Sequence, residues 1–207
     1  MVRITMISLL DTNNKLNEHK NSLNVTYPKT VNIIFGNYPY PDIIHNLIID
    51  VKNNLNPDIK VYSDIKGNVT DWTYFLDKPL FSDFISYLIN KHQTTHPDIF
   101  QYFLEKYDIV SAWGTEIKKG DGLKYHTHPC MHGILYLTKG CDLILPELNI
   151  KITPNPGDYY IFPPEILHGF DKSEYEENRY NLVFNFSWAY NQQYGKKVNE
   201  RENSKYR

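Results

Sequence analysis

The chain has 207 residues, 41% of them hydrophobic and 22% charged, with a formal net charge of −2. That apolar mass at so low a net charge excludes an ordinary disordered chain, and there is no overall basic excess with which to track nucleic-acid phosphates. No apolar run approaches the roughly 18 residues a membrane helix needs, and the opening MVRITMISLLDTNNK lacks a small-residue cleavage site, so no signal peptide is expected.

Residues 1–30 read as an N-terminal extension, polar and Asn-rich from Asp11 onward, and a short strand follows at Val31–Phe35. Ile44, Leu47, Ile48 and Val51 then sit at i, i+3, i+4, i+7 behind Pro41-Asp42, the spacing of a helix that buries one face. Lys60–Ser63 reads as a strand. Phe81, Phe84, Ile85 and Leu88 repeat the helical spacing, as do Phe100, Phe103, Leu104 and Tyr107 behind His96-Pro97-Asp98. From Tyr107 the pattern becomes one of β runs divided by turn residues. The runs are Ile109–Ile117, Leu123–His126, Gly133–Leu137, Asp142–Leu145, Ile150–Thr153, Tyr159–Phe162 and Tyr180–Trp188. So many short strands in succession predict an antiparallel sandwich or small barrel. The expected organisation is one domain over 31–190, with a helical support region at 31–106 and a β core at 107–190. A polar tail at 191–207 completes it.

Four of the 8 histidines fall at His126, His128, His132 and His168. In a strand, residues two apart share a face, so Tyr125-His126-Thr127-His128-Pro129 sends two imidazoles the same way. Imidazole ligates Fe, Zn, Cu and Ni. The third ligand is expected from His168, placed in a loop behind Pro163-Pro164, where the prolines stiffen the backbone. His19, His45, His92 and His96 are read as ordinary core or surface residues.

The last strand alternates cleanly: Tyr180, Leu182, Phe184 and Phe186 face one side, Arg179, Asn181, Val183 and Asn185 the other. The first face belongs to a packed core. The second, polar and carrying Arg, suits a cavity that holds an anion, because the guanidinium fork matches a carboxylate. The competing reading pairs Arg179 with Glu176 or Glu177 on an exposed face. Cys130 and Cys141 are too few for a disulfide framework and read as buried thiols in a reducing compartment.

From Val69-Thr70-Asp71-Trp72 through Phe186 the chain resembles the iron- and 2-oxoglutarate-dependent dioxygenases, especially the small prolyl-hydroxylase-like branch common in phages and marine bacteria. The resemblance is strongest at Trp113, at His126 and His128 with the following Gly133-Ile134-Leu135-Tyr136-Leu137, and at Pro156-Gly157-Asp158. It continues through Phe162-Pro163-Pro164, His168 and the Arg179–Asn185 stretch. It implies a double-stranded β-helix, or jelly roll, flanked by N-terminal helices. It implies Fe(II) held by His126, His128 and His168, with Arg179 on the distal carboxylate of 2-oxoglutarate and Tyr136 and Asn181 lining the pocket. The implied reaction consumes O2 and 2-oxoglutarate, hydroxylates an amino acid, peptide or small metabolite, and releases succinate and CO2, with ascorbate as a possible reductant. The expected setting is the cytoplasm of a bacterium or of a virus-infected host cell; the short apolar runs argue against a membrane, the near-neutral charge makes nucleic acid an unfavoured partner, and the oligomeric state is left open.

One position departs from the family pattern. The usual motif is His-x-Asp/Glu with a distal His, and His128 stands where the carboxylate belongs. Three neutral ligands leave a bound ion one unit more positive, unless Asp121 or Glu165 approaches it instead. The cupins, which share the β-helix, fit partly. Gly120 with His126-x-His128, and Gly157 with Pro163 and His168, match their two motifs, but His132 and Glu165 replace the expected Glu and Gly. That second resemblance implies a metal-dependent dioxygenase or isomerase without 2-oxoglutarate. His132 is then a fourth ligand, a hydrogen-bond donor to a ligand, or a buried strand residue, and the last two are favoured.

Overall fold

The computed structural model describes residues 7–9, 29–31, 33–59, 67–92, 94 and 109–186. In chain order the elements are β1 (Ile7–Leu9), β2 (Lys29–Val31), β3 (Ile34–Asn37), α1 (Pro41–Asn53), β4 (Asn68–Val69) and α2 (Pro79–His92). After them come β5 (Ile109–Ile117), β6 (Leu123–His126), β7 (His132–Tyr136), β8 (Leu143–Leu145), β9 (Ile150–Ile152), β10 (Asp158–Phe162), β11 (His168–Phe170) and β12 (Arg179–Phe186). A 3-10 turn at Pro146–Leu148 links β8 to β9.

The chain from β5 to β12 passes back and forth between two antiparallel sheets. The larger has the order β3-β10-β7-β12-β5-β4 and the smaller β6-β11-β8-β9, while β1 and β2 pair by themselves. This winding is a jelly roll, and it places the inner faces of the two sheets against each other.

Strand periodicity assigns each side chain to a layer. On β12, Tyr180, Leu182, Phe184 and Phe186 are buried in one cluster with Leu135, Tyr159 and Ile161 of the neighbouring strands. That cluster also takes Ile44, Leu47 and Val51 from α1 and Phe81, Phe84 and Leu88 from α2. The two helices therefore cover the outer face of the large sheet through the stripes their spacing predicts. Each such side chain contributes up to about 1.5–3 kcal/mol of burial. His92, at the end of α2, is buried and its Nε2 lies 2.6 Å from the Tyr159 hydroxyl, so it is a satisfied core residue. The opposite face of the large sheet meets the small one through Tyr136, Leu143, Leu145, Tyr160, Phe162 and Ile166.

Three expectations change. Val31–Phe35 is not one strand: β2 ends at Val31 in the separate pair with β1, and β3 starts at Ile34 against β10. The polar Asn32 falls between the two runs. Ile7–Leu9, inside the stretch read as an extension, pairs as a strand with Lys29–Val31 at its end. His168 is not in a loop. It opens β11, a three-residue strand whose His-Gly-Phe sequence is too short and too mixed to register as an apolar run. Elsewhere strand ends shift by one or two residues. The helix expected at Phe100–Tyr107, the strand at Lys60–Ser63 and the tail at 191–207 lie outside the described residues.

Gly133 shows how tightly the outer layer is packed. A Cβ there would fall 2.2 Å from the Phe184 ring, which is fully buried between sheet and helices. Gly133→Ala is expected to destabilise the protein by about 1–3 kcal/mol through overpacking, read as a lower midpoint in urea unfolding.

Candidate metal centre

The three candidate ligands come together through strand register. β6 and β11 are antiparallel neighbours, and their pairing sets His126 directly opposite His168, with ring centroids 4.5 Å apart. His128 lies two residues on, just beyond the end of β6, and its Nε2 is 3.1 Å from that of His126. One ring nitrogen from each of His126, His128 and His168 lies within 4.8 Å of the others. Among the described residues this is the sole such cluster of histidine, cysteine or carboxylate groups.

Backbone carbonyls set the tautomers. His126 Nδ1 sits 3.0 Å from the Lys124 carbonyl, and His168 Nδ1 sits 2.9 Å from that of Ile166. A carbonyl only accepts, so each Nδ1 carries the proton and each Nε2 presents a lone pair. This is the hydrogen bond that orients metal-binding imidazoles. Burial, followed by the neighbouring His168 and His126, lowers His128 to about 3. Burial lowers His168 to about 4, the Ile166 carbonyl opposing and His126 assisting.

Neutral imidazoles with converging lone pairs fit a divalent transition ion. Two nitrogens 3.1 Å apart match two bonds of roughly 2.1 Å meeting at about a right angle. Among the described residues no carboxylate joins them. Asp121 Oδ2 accepts from the Lys118 backbone N–H at 2.7 Å, and Glu165 is exposed. His132 opens β7, is buried, and stays outside the donor cluster. Burial holds its pKa well below the usual histidine value. Its polar neighbour is the Cys130 backbone, and it sits as a buried strand residue beside the cluster.

Arg179 opens β12 on the inner face, with Asn181 and Val183, as the alternation predicts. It is 2% exposed. Its Nη1 donates to the Cys141 carbonyl at 2.8 Å, and its guanidinium carbon stands 4.1 Å over the Phe170 ring and 5.5 Å from that of Tyr136. The Asn181 amide is best satisfied with Oδ1 accepting from Arg179 Nε at 3.3 Å and from Thr115 Oγ1 at 3.2 Å. Nδ2 then donates to the Tyr180 carbonyl at 3.0 Å. Among the described residues no carboxylate forms an ion pair with Arg179. Glu176 pairs with Lys119, and Glu177 is exposed. Burying a cation carries a desolvation cost, which the Cys141 carbonyl, Asn181 and the nearby Asp142 carboxylate partly offset.

The three histidines and Arg179 line one cleft between the sheets, with about 620 Å³ of space partly open to solvent. Tyr136 lines it too, and burial raises its pKa despite the opposing Arg179, which keeps the hydroxyl a neutral donor. Sequence reasoning missed the parts that seat Arg179: the Phe170 ring, the Cys141 carbonyl and Gly140. A Cβ on Gly140 would fall 2.8 Å from Arg179 Cδ. Lys139-Gly140 read only as a turn, and nothing in the sequence links it to residue 179.

No protein-family model matches the sequence, and no curated protein matches it. Solved structures do resemble the fold. The viral collagen prolyl hydroxylase of Paramecium bursaria Chlorella virus-1, in its 2-oxoglutarate complex, aligns with TM-score 0.57 at 14% identity, covering 74% of this chain and 94% of that one. A prolyl-4-hydroxylase of Pseudomonas putida aligns with TM-score 0.55 at 13% identity, over 74% and 91%. HygX of Streptomyces hygroscopicus, with nickel and 2-oxoglutarate bound, aligns with TM-score 0.56 at 9% identity, over 77% and 84%. The fold is the double-stranded β-helix of the 2-oxoglutarate oxygenases. Among the described residues no helix is long and apolar enough to cross a membrane.

The lowered histidines carry a pH consequence for chelator-treated protein. Below about 6.5 the unfolded chain protonates His128 and His168, while the folded chain resists until about 3 and 4. The unfolded state then binds more protons, so stability falls as pH drops from about 6.5 toward 4. Thermal unfolding at pH 7.5 and pH 5 should show a lower midpoint at pH 5, and His128→Gln should reduce that difference.

Proposed function

We propose that the protein is an Fe(II)- and 2-oxoglutarate-dependent oxygenase that hydroxylates an amino-acid, peptide or small-metabolite substrate. One observation carries the reading: three converging imidazoles and a buried arginine that, among the described residues, has no ion-paired carboxylate share one cleft. His126, His128 and His168 would hold the ion, and Arg179 the distal carboxylate of 2-oxoglutarate. When bound, Fe(II) with O2 and 2-oxoglutarate supplies the oxidation, one oxygen atom entering the substrate C–H bond and the other entering succinate as CO2 leaves. The chain's own residues bind, orient and shield. Arg179 has five N–H donors, of which Asn181 and the Cys141 carbonyl occupy two. The rest are available to an anion. Phe170 and Tyr136 hold the guanidinium plane, and the Tyr136 hydroxyl adds a neutral donor. Leu143, Phe162 and Ile134 line the remainder with apolar surface that excludes water.

The all-imidazole donor set favours a second reading, a cupin-type metal enzyme that does not use 2-oxoglutarate. It leaves the buried Arg179 without a purpose. The two separate on succinate, which protein reconstituted with Fe(II) and ascorbate should release from 2-oxoglutarate in the first reading and not in the second.

Two substitutions test the assignments. His168→Ala should abolish metal binding, measured by metal analysis of protein purified without an affinity tag. Arg179→Ala should leave metal content intact but weaken 2-oxoglutarate by about 10- to 100-fold, the equivalent of roughly 1.5–3 kcal/mol of charge-assisted hydrogen bonding. Calorimetric titration would read the loss, and unchanged affinity would remove Arg179 from the role.

A further inference from the structure

His126 and His168 are each oriented by an Nδ1–H bond to the carbonyl two residues earlier in the chain. His128 has no such bond, because the chain has left β6 by that point. The Asn185 side chain is the hydrogen-bonding neighbour of its ring. His128 also has a parallel ring against it. His132 lies face to face with it, centroids 4.0 Å apart and planes at 15°. His132 is itself clamped, stacked on Phe162 at 5.1 Å and on His168 at 4.5 Å. It is 2% exposed, with the Cys130 backbone as its polar neighbour. Its contact with the ligand set is through its flat face, on His128 and His168.

We infer that His132 is a positioning residue: a buried flat ring that holds the His128 imidazole in its metal-binding orientation by stacking, where the other two ligands are held by a backbone carbonyl. The inference rests on the metal-binding reading of the cluster. It also connects two features of the sequence. A carboxylate at 128 would present no aromatic face to the His132 ring, so this contact exists only with an imidazole at 128.

The test measures metal affinity directly. Folded wild type, His132→Phe, His132→Leu and His132→Met are titrated with Zn(II) against a chromophoric chelator, and their Co(II) absorption spectra are recorded. Thermal melts confirm folding. Phe keeps the plate, so its affinity should stay within about threefold of wild type with an unchanged Co(II) spectrum. Leu and Met fill the volume without a plate and should lose about 10- to 100-fold, the usual cost of removing an orienting partner. In a His128→Asp background the Leu loss should shrink to about threefold or less, since the coupled pair is gone. The inference is overturned if Phe falls as far as Leu, if Leu and Met cost nothing, or if the Leu loss persists with Asp at 128. A Co(II) spectrum altered by Phe would make His132 a ligand and overturn it as well. Wild type that binds no metal would instead remove the metal reading itself, and this inference with it.

Discussion

The site depends on one pairing, the antiparallel register of β6 and β11 that puts His126 opposite His168. A slip of one residue would turn every side chain of a strand to the other face, sending one imidazole out of the cleft. Each Nδ1 is held locally, by the carbonyl two residues earlier in its own segment, Lys124 or Ile166. Strand pairing thus fixes where the two rings stand, and local carbonyls fix which nitrogen of each is free. Such preorganisation spares a bound ion much of the work of ordering its ligands.

The cleft around this pairing is held open against an energetic bias to close. Three imidazole nitrogens converge, and among the described residues a buried guanidinium has no ion-paired carboxylate. Either alone would be costly in an apolar interior. They persist because rigid layers surround them. The outer helices lock the large sheet through Phe81, Phe84, Leu47 and Val51, and Phe162 and Phe170 hold the polar groups by their faces. In the proposed function the cation at one place and the anion at the other satisfy both groups together.

Much of this was legible in residue spacing. The helical stripes of Ile44–Val51 and Phe81–Leu88, the β texture from Ile109, and the two faces of β12 all follow from periodicity, since a residue that must be buried repeats with its element. His126 and His128 stood out because two ring ligands at i, i+2 share a face. The strand holding His168 did not show, because three residues, one of them Gly, carry no period. The seat of Arg179 did not show either, because Cys141, Phe170 and Gly140 meet it only across sheets.

The sequence by itself determined the layers, the direction in which each face of β12 points, and the residue types available for metal and anion chemistry. These are local properties, written in intervals of two and three to four residues. Only the tertiary structure decided that His168 stands opposite His126, that Asp121 and Glu165 stay away from the imidazoles, and that His132 lies flat against His128. Those facts depend on strand pairing between segments far apart in the chain. A linear pattern records what each strand prefers to bury, and it carries no record of which strand lies beside which.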